Sequence, residues 1–305
     1  MCKLKSAIVL KDRIFIPDYD SHSKMLDELG IKDDYLGASK KFVRVELSPL
    51  DGDPFSDIEK WELTVDQDIV PEWFSKEECK PKMIESVKAW AKGHIHIGVN
   101  GLKIENGENH YIKDCKDVTV SGSASVEAWG SASVKAWGSA SVKAWGSASV
   151  EAWGSASVEA WGSASVEAWG SASVKAWDSA SVKAWGSASV KAWGSASVEA
   201  WGSASVEAWG SASVKAWDSA SVEACGSASV EACGSASVEA CGSASVEACG
   251  SAIIFNSLYS KWYKQDALIL TKNATFKDNI GKVIYQSGDF KLITVESGKK
   301  IGDAK

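Results

Sequence analysis

The sequence predicts an all-β parallel β-solenoid with two octapeptide strands and 16 residues per coil, carrying a small α+β N-terminal head and a β-rich C-terminal cap. Three observations lead there. The octapeptide GSASVKAW and its close variants recur sixteen times without interruption over residues 122–249. Within each unit, Ala, Val and Ala at the third, fifth and seventh positions alternate with Ser, Ser and a charge, the period-two signature of a strand. The eighth position is Trp in twelve units and Cys in the last four, so stacked copies would align identical side chains into ladders.

The repeat decides the local structure. A Gly, two Ser and a Val in every unit weigh against helix. Eight is neither a heptad nor an eleven-residue period, which excludes a coiled coil. Gly/Ser/Ala tracts are often flexible; the strict alternation, the Val in every unit and the tryptophans speak for an ordered array instead. One octapeptide cannot bury its Ala-Val-Ala face alone, whereas stacked copies can. The opening glycine supplies a permissive backbone for a corner. Asp replaces it at Asp178 and Asp218, and Asp also tolerates turns.

The number of octapeptides per coil is read from charge and volume. Opposite charges should stack and like charges should not. With two units per coil, 9 of 14 stacked sixth-position pairs are Lys-Glu; with three, 8 of 13; with one, 6 of 15. The charges disfavour one unit per coil and do not separate two from three. Ala-Val-Ala is too thin to fill a wide triangular core at native density. Two closely facing strands suit it, giving 16-residue coils and a rod roughly 35–40 Å long at the ordinary strand spacing.

The flanks divide the chain into a head at 1–113, the solenoid at 114–257 and a cap at 258–305. Residues 7–16, AIVLKDRIFI, form a hairpin turning at Lys11-Asp12. SHSKMLDELG is a short helix capped by Ser21 and stopped by Gly30. KFVRVEL and KWELTV alternate as strands, and PKMIESVKAWAKG places Ile84, Val87 and Trp90/Ala91 on one helical face, ending at Gly93. HIHIGVNGLKIENG reads as a hairpin across Asn100-Gly101. DCKDVTVS, residues 114–121, fits the repeat frame with Val118 fifth and Val120 seventh, and GSAIIFNS keeps the frame with Ile254 fifth. KVIYQSGDFKLITV near the end is hairpin-like. Atypical ends of this kind protect the open last coil from pairing with other chains.

Net charge is −7, of which the array contributes −6 from six Lys, ten Glu and two Asp. The chain lacks the basic footprint of a nucleic-acid binder. No apolar run approaches a membrane span, and the first residues lack the apolar core of a signal peptide. The expected setting is cytoplasmic or phage-associated, with no nucleic acid and no membrane as partner. Seven Cys, four of them spaced by eight residues, fit no common zinc or secreted-disulfide pattern.

Chemistry is sparse. His94 and His96 share a strand face and, with His110 or Cys115, could ligate a metal; the simpler reading is two surface residues, and no metal or other cofactor is expected. Asp18, Asp20 and His22 could form an acid-base group, but turn and capping roles suit PDYDSH better. No nucleophile elbow, phosphate loop or zinc-hydrolase motif is present, so no catalytic residue is assigned. The Cys ladder, Cys225, Cys233, Cys241 and Cys249, is read as reduced thiols acting as small apolar side chains, although 16-residue coils bring Cys225 and Cys241 within disulfide range.

Two tryptophan rows follow from two-strand coils. One is Trp129, Trp145, Trp161, Trp177, Trp193 and Trp209; the other is Trp137, Trp153, Trp169, Trp185, Trp201 and Trp217. Alternation places them outside with Ser and the charges, and the corner position allows them to tuck over the end of the thin core. Exposed rows would be apolar strips larger than a monomer usually shows.

The unit resembles the octapeptide of bacterial ice-nucleation proteins: Gly130, Ser131 and Trp137 match that frame, as does the Asp-for-Gly exchange at Asp178. The resemblance implies 16-residue coils and a stacked aromatic ladder implicated in pairing. Ice-organising faces in that family carry Thr-x-Thr rows, and residues 122–250 contain no Thr. The flanks, including AIVLKDRIFIPDYDSHSKMLDELGI, KFVRVELSP, WELTVDQDIVPEW and GLKIENGENHYIKDCKDVTV, resemble repeat proteins of gut Firmicutes and their phages. That likeness covers most of the chain and implies architecture without an activity.

The expected function is a non-enzymatic structural rod that self-associates, pairing or polymerising through its Trp ladders and end domains as a homo-oligomer or filament. Two other classes compete: a solenoid that binds an extended surface such as ice or polysaccharide, and a head with enzymatic or toxin-like activity on a rod spacer.

Overall fold

A computed structural model describes residues 5–17, 19–32, 40–105, 107, 109–247 and 252, and the backbone of 248–249, 253–256 and four short strands between 269 and 291. The chain forms two compact units, one of residues 1–97 with 108–113 and the other of 98–107 with 114–305.

The head is built on a four-stranded antiparallel sheet of β1 (Lys5–Leu10), β2 (Ile14–Phe15), β3 (Phe42–Ser48) and β4 (Glu62–Val65), in the order β2-β1-β3-β4. The predicted hairpin at 7–16 is its β1–β2 pair, with Ile8 opposite Phe15. Alternation along β3 sorts the core onto two faces. Val43, Val45 and Leu47 join Ala7, Val9, Trp61 and Leu63 on one face, where Met83 and Val87 of helix α2 (Lys76–His94) cover them. Phe42 and Ile8 on the other face meet Met25 and Leu26 of helix α1 (His22–Glu28). Ser21 caps α1 by accepting from the Lys24 amide, and Gly30 ends it at φ +65°, as its residue types require. Helix α2 begins five residues earlier than its proline suggests. Ser75 accepts from the Glu78 amide, and Glu77 and Glu78 sit in the first turn, so the cap outweighs Pro81, which lies inside the helix.

The hairpin expected across Asn100-Gly101 is not formed. Strand β5 (Ile95–Ile97) pairs in parallel with β7 (Asn109–Lys113), Ile95 opposite Tyr111. Strand β6 (Lys103–Glu105) pairs in parallel with β8 (Val118–Ser121), Ile104 opposite Val120. Both offsets are 16 residues, the coil length of the rod. Gly101 has φ +70°, close to the corner glycines of the octapeptides. The same turn chemistry serves a hairpin or a coil corner, and only the strand partners distinguish them.

The second unit is a parallel β-solenoid. Each octapeptide contributes one strand, from Ser125–Trp129 to Ser245–Cys249. Each strand pairs in parallel and in register with the strand 16 residues on, as Ser133 with Ser149 and Val142 with Val158. The predicted two strands per coil are therefore observed. Ala and Val at positions three, five and seven are buried throughout the described units, while Ser and the sixth-position charges face outward. A fully buried Val is worth roughly 1.5–3 kcal/mol relative to an exposed one, and every coil contributes two.

The corners repeat as regularly as the strands. Gly130 to Gly242 hold φ between +65° and +75°, and Asp178 and Asp218 hold +57° and +58°. Corner backbones stack through bonds such as Ser147 N–H to Gly130 O at 3.0 Å and Trp153 N–H to Ala136 O at 2.9 Å. The degenerate unit at 114–121 takes its predicted place: Val118 is opposite Val134 and both are buried. Asp114, in the corner position with φ +54°, accepts from the amide and hydroxyl of Ser131. At the other end Ile254 stands opposite Val238, in frame. Parallel pairing continues into Ile269–Lys272 and Thr275–Asp278, and Tyr285–Ser287 with Asp289–Lys291 forms the expected hairpin. The rest of the cap at 258–305 lies outside the described residues.

Candidate functional site: the tryptophan ladders and the head

The corner places the eighth residue. Its amide belongs to the backbone ladder, so its Cα rises by one coil per copy, 4.7 Å between Cys225 and Cys241. That rise exceeds the roughly 3.5–4.0 Å of carbon–carbon contact, so rings stacked along the rod tilt and slide to touch. In the first row the centroids from Trp129 to Trp209 are 5.4, 4.0, 4.8, 5.1 and 5.0 Å apart. In the second, from Trp137 to Trp217, they are 4.1, 5.0, 4.9, 5.0 and 4.8 Å apart, with planes within 10° of parallel. All twelve tryptophans thus stack into the two expected rows.

The rings neither stand free nor bury completely. Eleven are half-buried, and Trp137 is 44 % exposed. Each interior ring spends both faces on its neighbours, which leaves ring edges toward solvent. Offset stacks of this kind contribute about 0.5–1.5 kcal/mol per pair beyond area burial.

Each row is continued by cysteine, Trp209 by Cys225 and Cys241, and Trp217 by Cys233. Cys225 and Cys241 are joined by a disulfide, and Cys233 is disulfide-bonded as well. The expectation of reduced thiols is corrected. Stacking sets the Cα separation at 4.7 Å, inside the range a disulfide needs. The Cys249 side chain lies outside the described residues. Beside these rows the stacked charges form ion pairs, four of them among the described residues, including Lys175–Glu159 at 3.1 Å and Lys191–Glu207 at 3.0 Å. They are solvent-accessible, so each is worth little, about 0–1 kcal/mol.

In the head, the structure brings together three of the residues singled out for metal chemistry. His94 stacks on Trp90 at 4.7 Å and on His110 at 4.9 Å, and His110 lies 5.7 Å from His96. His94 Nδ1 donates to Trp90 O and His96 Nε2 to Gly93 O. His110 Nδ1 also lies 3.5 Å from His96 Nε2, but among the described residues the three rings do not gather one ligand atom each into a metal-sized group. Burial, with His94 and His96 beside it, pushes the His110 imidazole down to about 4; burial also lowers His96. Cys115 is a buried thiol of the other compact unit.

The Asp18, Asp20 and His22 set, read mainly as turn and capping residues, can be followed only in part. Asp18 lies outside the described residues and Asp20 is exposed. His22 turns inward instead, with Nε2 3.2 Å from Val45 O and Nδ1 3.3 Å from Asp66 Oδ2. Sequence reading missed Asp66, 44 residues away, and Glu46 beside it. No local pattern joins them: they lie on α1, on β3 and just after β4, and only folding brings them together.

A cleft of about 870 Å³ opens between the β1–β2 hairpin and α2, lined by Lys11, Arg13, Lys82, Trp73, Trp90 and Cys79 among others. Burial pushes the Cys79 thiol up to about 11, so it stays protonated and is a poor nucleophile.

Comparison with family models, with curated proteins and with solved structures yields no match to this chain. No described helix is long and apolar enough to cross a membrane.

Proposed function

We propose that this chain is a non-enzymatic structural element, a β-solenoid rod that associates side by side through its tryptophan ladders. The observation that carries the reading is the pair of six-ring stacks, half-buried along the rod and most exposed at Trp137. The ring faces are already occupied by neighbouring rings. What a partner can cover is a continuous line of apolar edges, and a second ladder with the same 4.7 Å repeat matches it in period. Burying such a strip between two rods removes apolar area at about 25 cal/mol per Å².

The test is mass measurement by light scattering over a concentration series. The expected result is a dimer or larger species that shifts toward monomer when Trp137, Trp153, Trp169, Trp185, Trp201 and Trp217 are replaced by Ser. Far-UV circular dichroism checks that the rod persists. A wild-type monomer at all concentrations, or an oligomer indifferent to losing the row, would count against it.

The regular outward rows of Ser at the second and fourth positions favour one other reading, adhesion to an extended polar surface. Polysaccharide stacking on the Trp faces is disfavoured because those faces are taken. A pull-down on insoluble polysaccharides and a droplet-freezing assay, both negative, would remove this reading.

A further inference from the structure

We propose that the head binds a divalent transition-metal ion, Zn²⁺ by its ligand chemistry, between His22, Glu46 and Asp66. The three come from separate elements: His22 opens α1, Glu46 lies in the middle of β3, and Asp66 follows β4 directly. One ligand atom of each lies within 4.8 Å of the others. His22 and Glu46 are 7 % and 6 % exposed, while the Asp66 side chain is 60 % exposed and forms the rim through which an ion can enter.

The hydrogen bonds decide which ring nitrogen faces the carboxylates. Val45 O can only accept, so His22 Nε2 carries the proton. In the neutral ring Nδ1 then presents a lone pair, 3.3 Å from Asp66 Oδ2, which presents lone pairs too. Two acceptors so placed are held by a cation, either a second ring proton or a metal ion. The 3.3 Å separation accommodates the metal. Charge-assisted N–H···O bonds run about 2.7–2.9 Å. Two ligands bonded at about 2.0–2.2 Å to one tetrahedral ion sit roughly 3.3–3.5 Å apart. A histidine whose other nitrogen donates to a backbone carbonyl is also the arrangement that orients metal-bound imidazole.

An independent observation comes from the neighbouring strand. Ser6 is fully buried, and its hydroxyl has no hydrogen-bond partner among the described residues. It stands directly opposite Glu46 in the β1–β3 register, so both side chains leave the sheet on the same face. A buried hydroxyl without a partner is costly; here it can serve a metal-bound water or a ligand carboxylate. The Asp66 amide donates to Arg44 O at 2.9 Å, which holds the rim ligand in place. One imidazole with two carboxylates suits zinc better than magnesium or calcium, which take oxygen alone. Arg44 shares the Glu46 face two positions along the strand, so the test reads metal binding directly rather than through stability.

The experiment is isothermal titration of Zn²⁺ into the chelator-treated full-length chain, with Co²⁺ absorption as a second readout. Three variants accompany it: Asp66→Asn, Glu46→Gln, and the double variant His94→Ala/His110→Ala. The expected result is one tight equivalent per chain. Asp66→Asn and Glu46→Gln weaken it at least tenfold, and the double variant leaves it unchanged. Bound Co²⁺ shows d–d bands without thiolate charge transfer. Asp66 lies at the surface, so its variant folds even if Glu46→Gln does not. The proposal is overturned if no tight equivalent exists, if Asp66→Asn binds like the parent, or if the equivalent disappears with His94 and His110.

Discussion

Replacing Gly186 by Ala tests the corner logic of the rod. Gly186 holds φ +72°, and a Cβ there would lie 3.3 Å from Gly170 O and 3.4 Å from Gly170 N of the coil below. The left-handed backbone costs an L-residue roughly 1–2 kcal/mol, and the tight contact adds to it. The smaller entropy of the unfolded Ala chain returns about 0.4–1 kcal/mol. The backbone and entropy terms net to roughly 0–1.6 kcal/mol, and the tight contact raises the total toward about 1.4 kcal/mol, a tenfold change in the local opening equilibrium. Gly186→Asp should cost much less. Asp178 and Asp218 hold the same conformation, and their Oδ2 atoms accept from the Gly162 and Gly202 amides at 3.4 and 3.1 Å. A long solenoid does not melt in one cooperative step, so amide hydrogen exchange is the assay. The amides of Ser187 and Ser203, bonded to Gly170 O and Gly186 O, should exchange about tenfold faster in the Ala variant. They should change less than about threefold in the Asp variant, and Ser155 should not change in either. Equal effects of Ala and Asp would show that the positive φ is not what selects the residue. An effect reaching Ser155 would refute nearest-neighbour coupling.

Reduction of the Cys225–Cys241 disulfide removes a cross-link spanning 16 residues, worth roughly 3 kcal/mol in the chain-entropy view. Exchange at the Ser237 and Ser245 amides should rise with reductant while Ser173 stays protected; no change would contradict the bond. The His110 and His96 imidazoles are held below the ordinary 6.5, His110 at about 4. The unfolded head therefore binds protons that the folded head does not, and stability falls as pH drops from 6.5 toward 4. Thermal melts of the head by near-UV circular dichroism at neutral and acidic pH check this. His110→Gln should narrow the gap, and an unchanged gap would tell against the assignment. Trp61 is fully buried and its Nε1 donates to Ser56 Oγ at 3.0 Å. Trp61→Phe should destabilise the head by about 1–3 kcal/mol through a void and an unpaired hydroxyl, read from its urea midpoint; a shift near zero would be the contrary result.

Much of the ladder was legible in advance because each part follows from one octapeptide. Alternation assigned Ala and Val inward, glycine assigned the corner, and thin side chains assigned two strands per coil. The half-burial of eleven of the twelve tryptophans was not legible, since alternation and the corner position pull the ring in opposite directions. The head was legible element by element, as with the Ser21 cap and the 7–16 hairpin. It failed at Asn100-Gly101, where one turn signal serves two topologies, and at His22, whose partners stand on β3 and beyond β4.

The sequence alone therefore determined the period, the strands, the corners and which residues share a row. It could do so because the same local rule is applied at every coil, and stacking amplifies it. The tertiary structure alone decided how far each tryptophan ring is covered, that Cys225 and Cys241 are joined as a disulfide, and that His22 meets Glu46 and Asp66. The His22 cluster is made once, between side chains whose separation in sequence carries no period, and exists only when separate elements pack against one another; Cys225 and Cys241 stand one 16-residue coil apart, so only their joining was left to the tertiary structure.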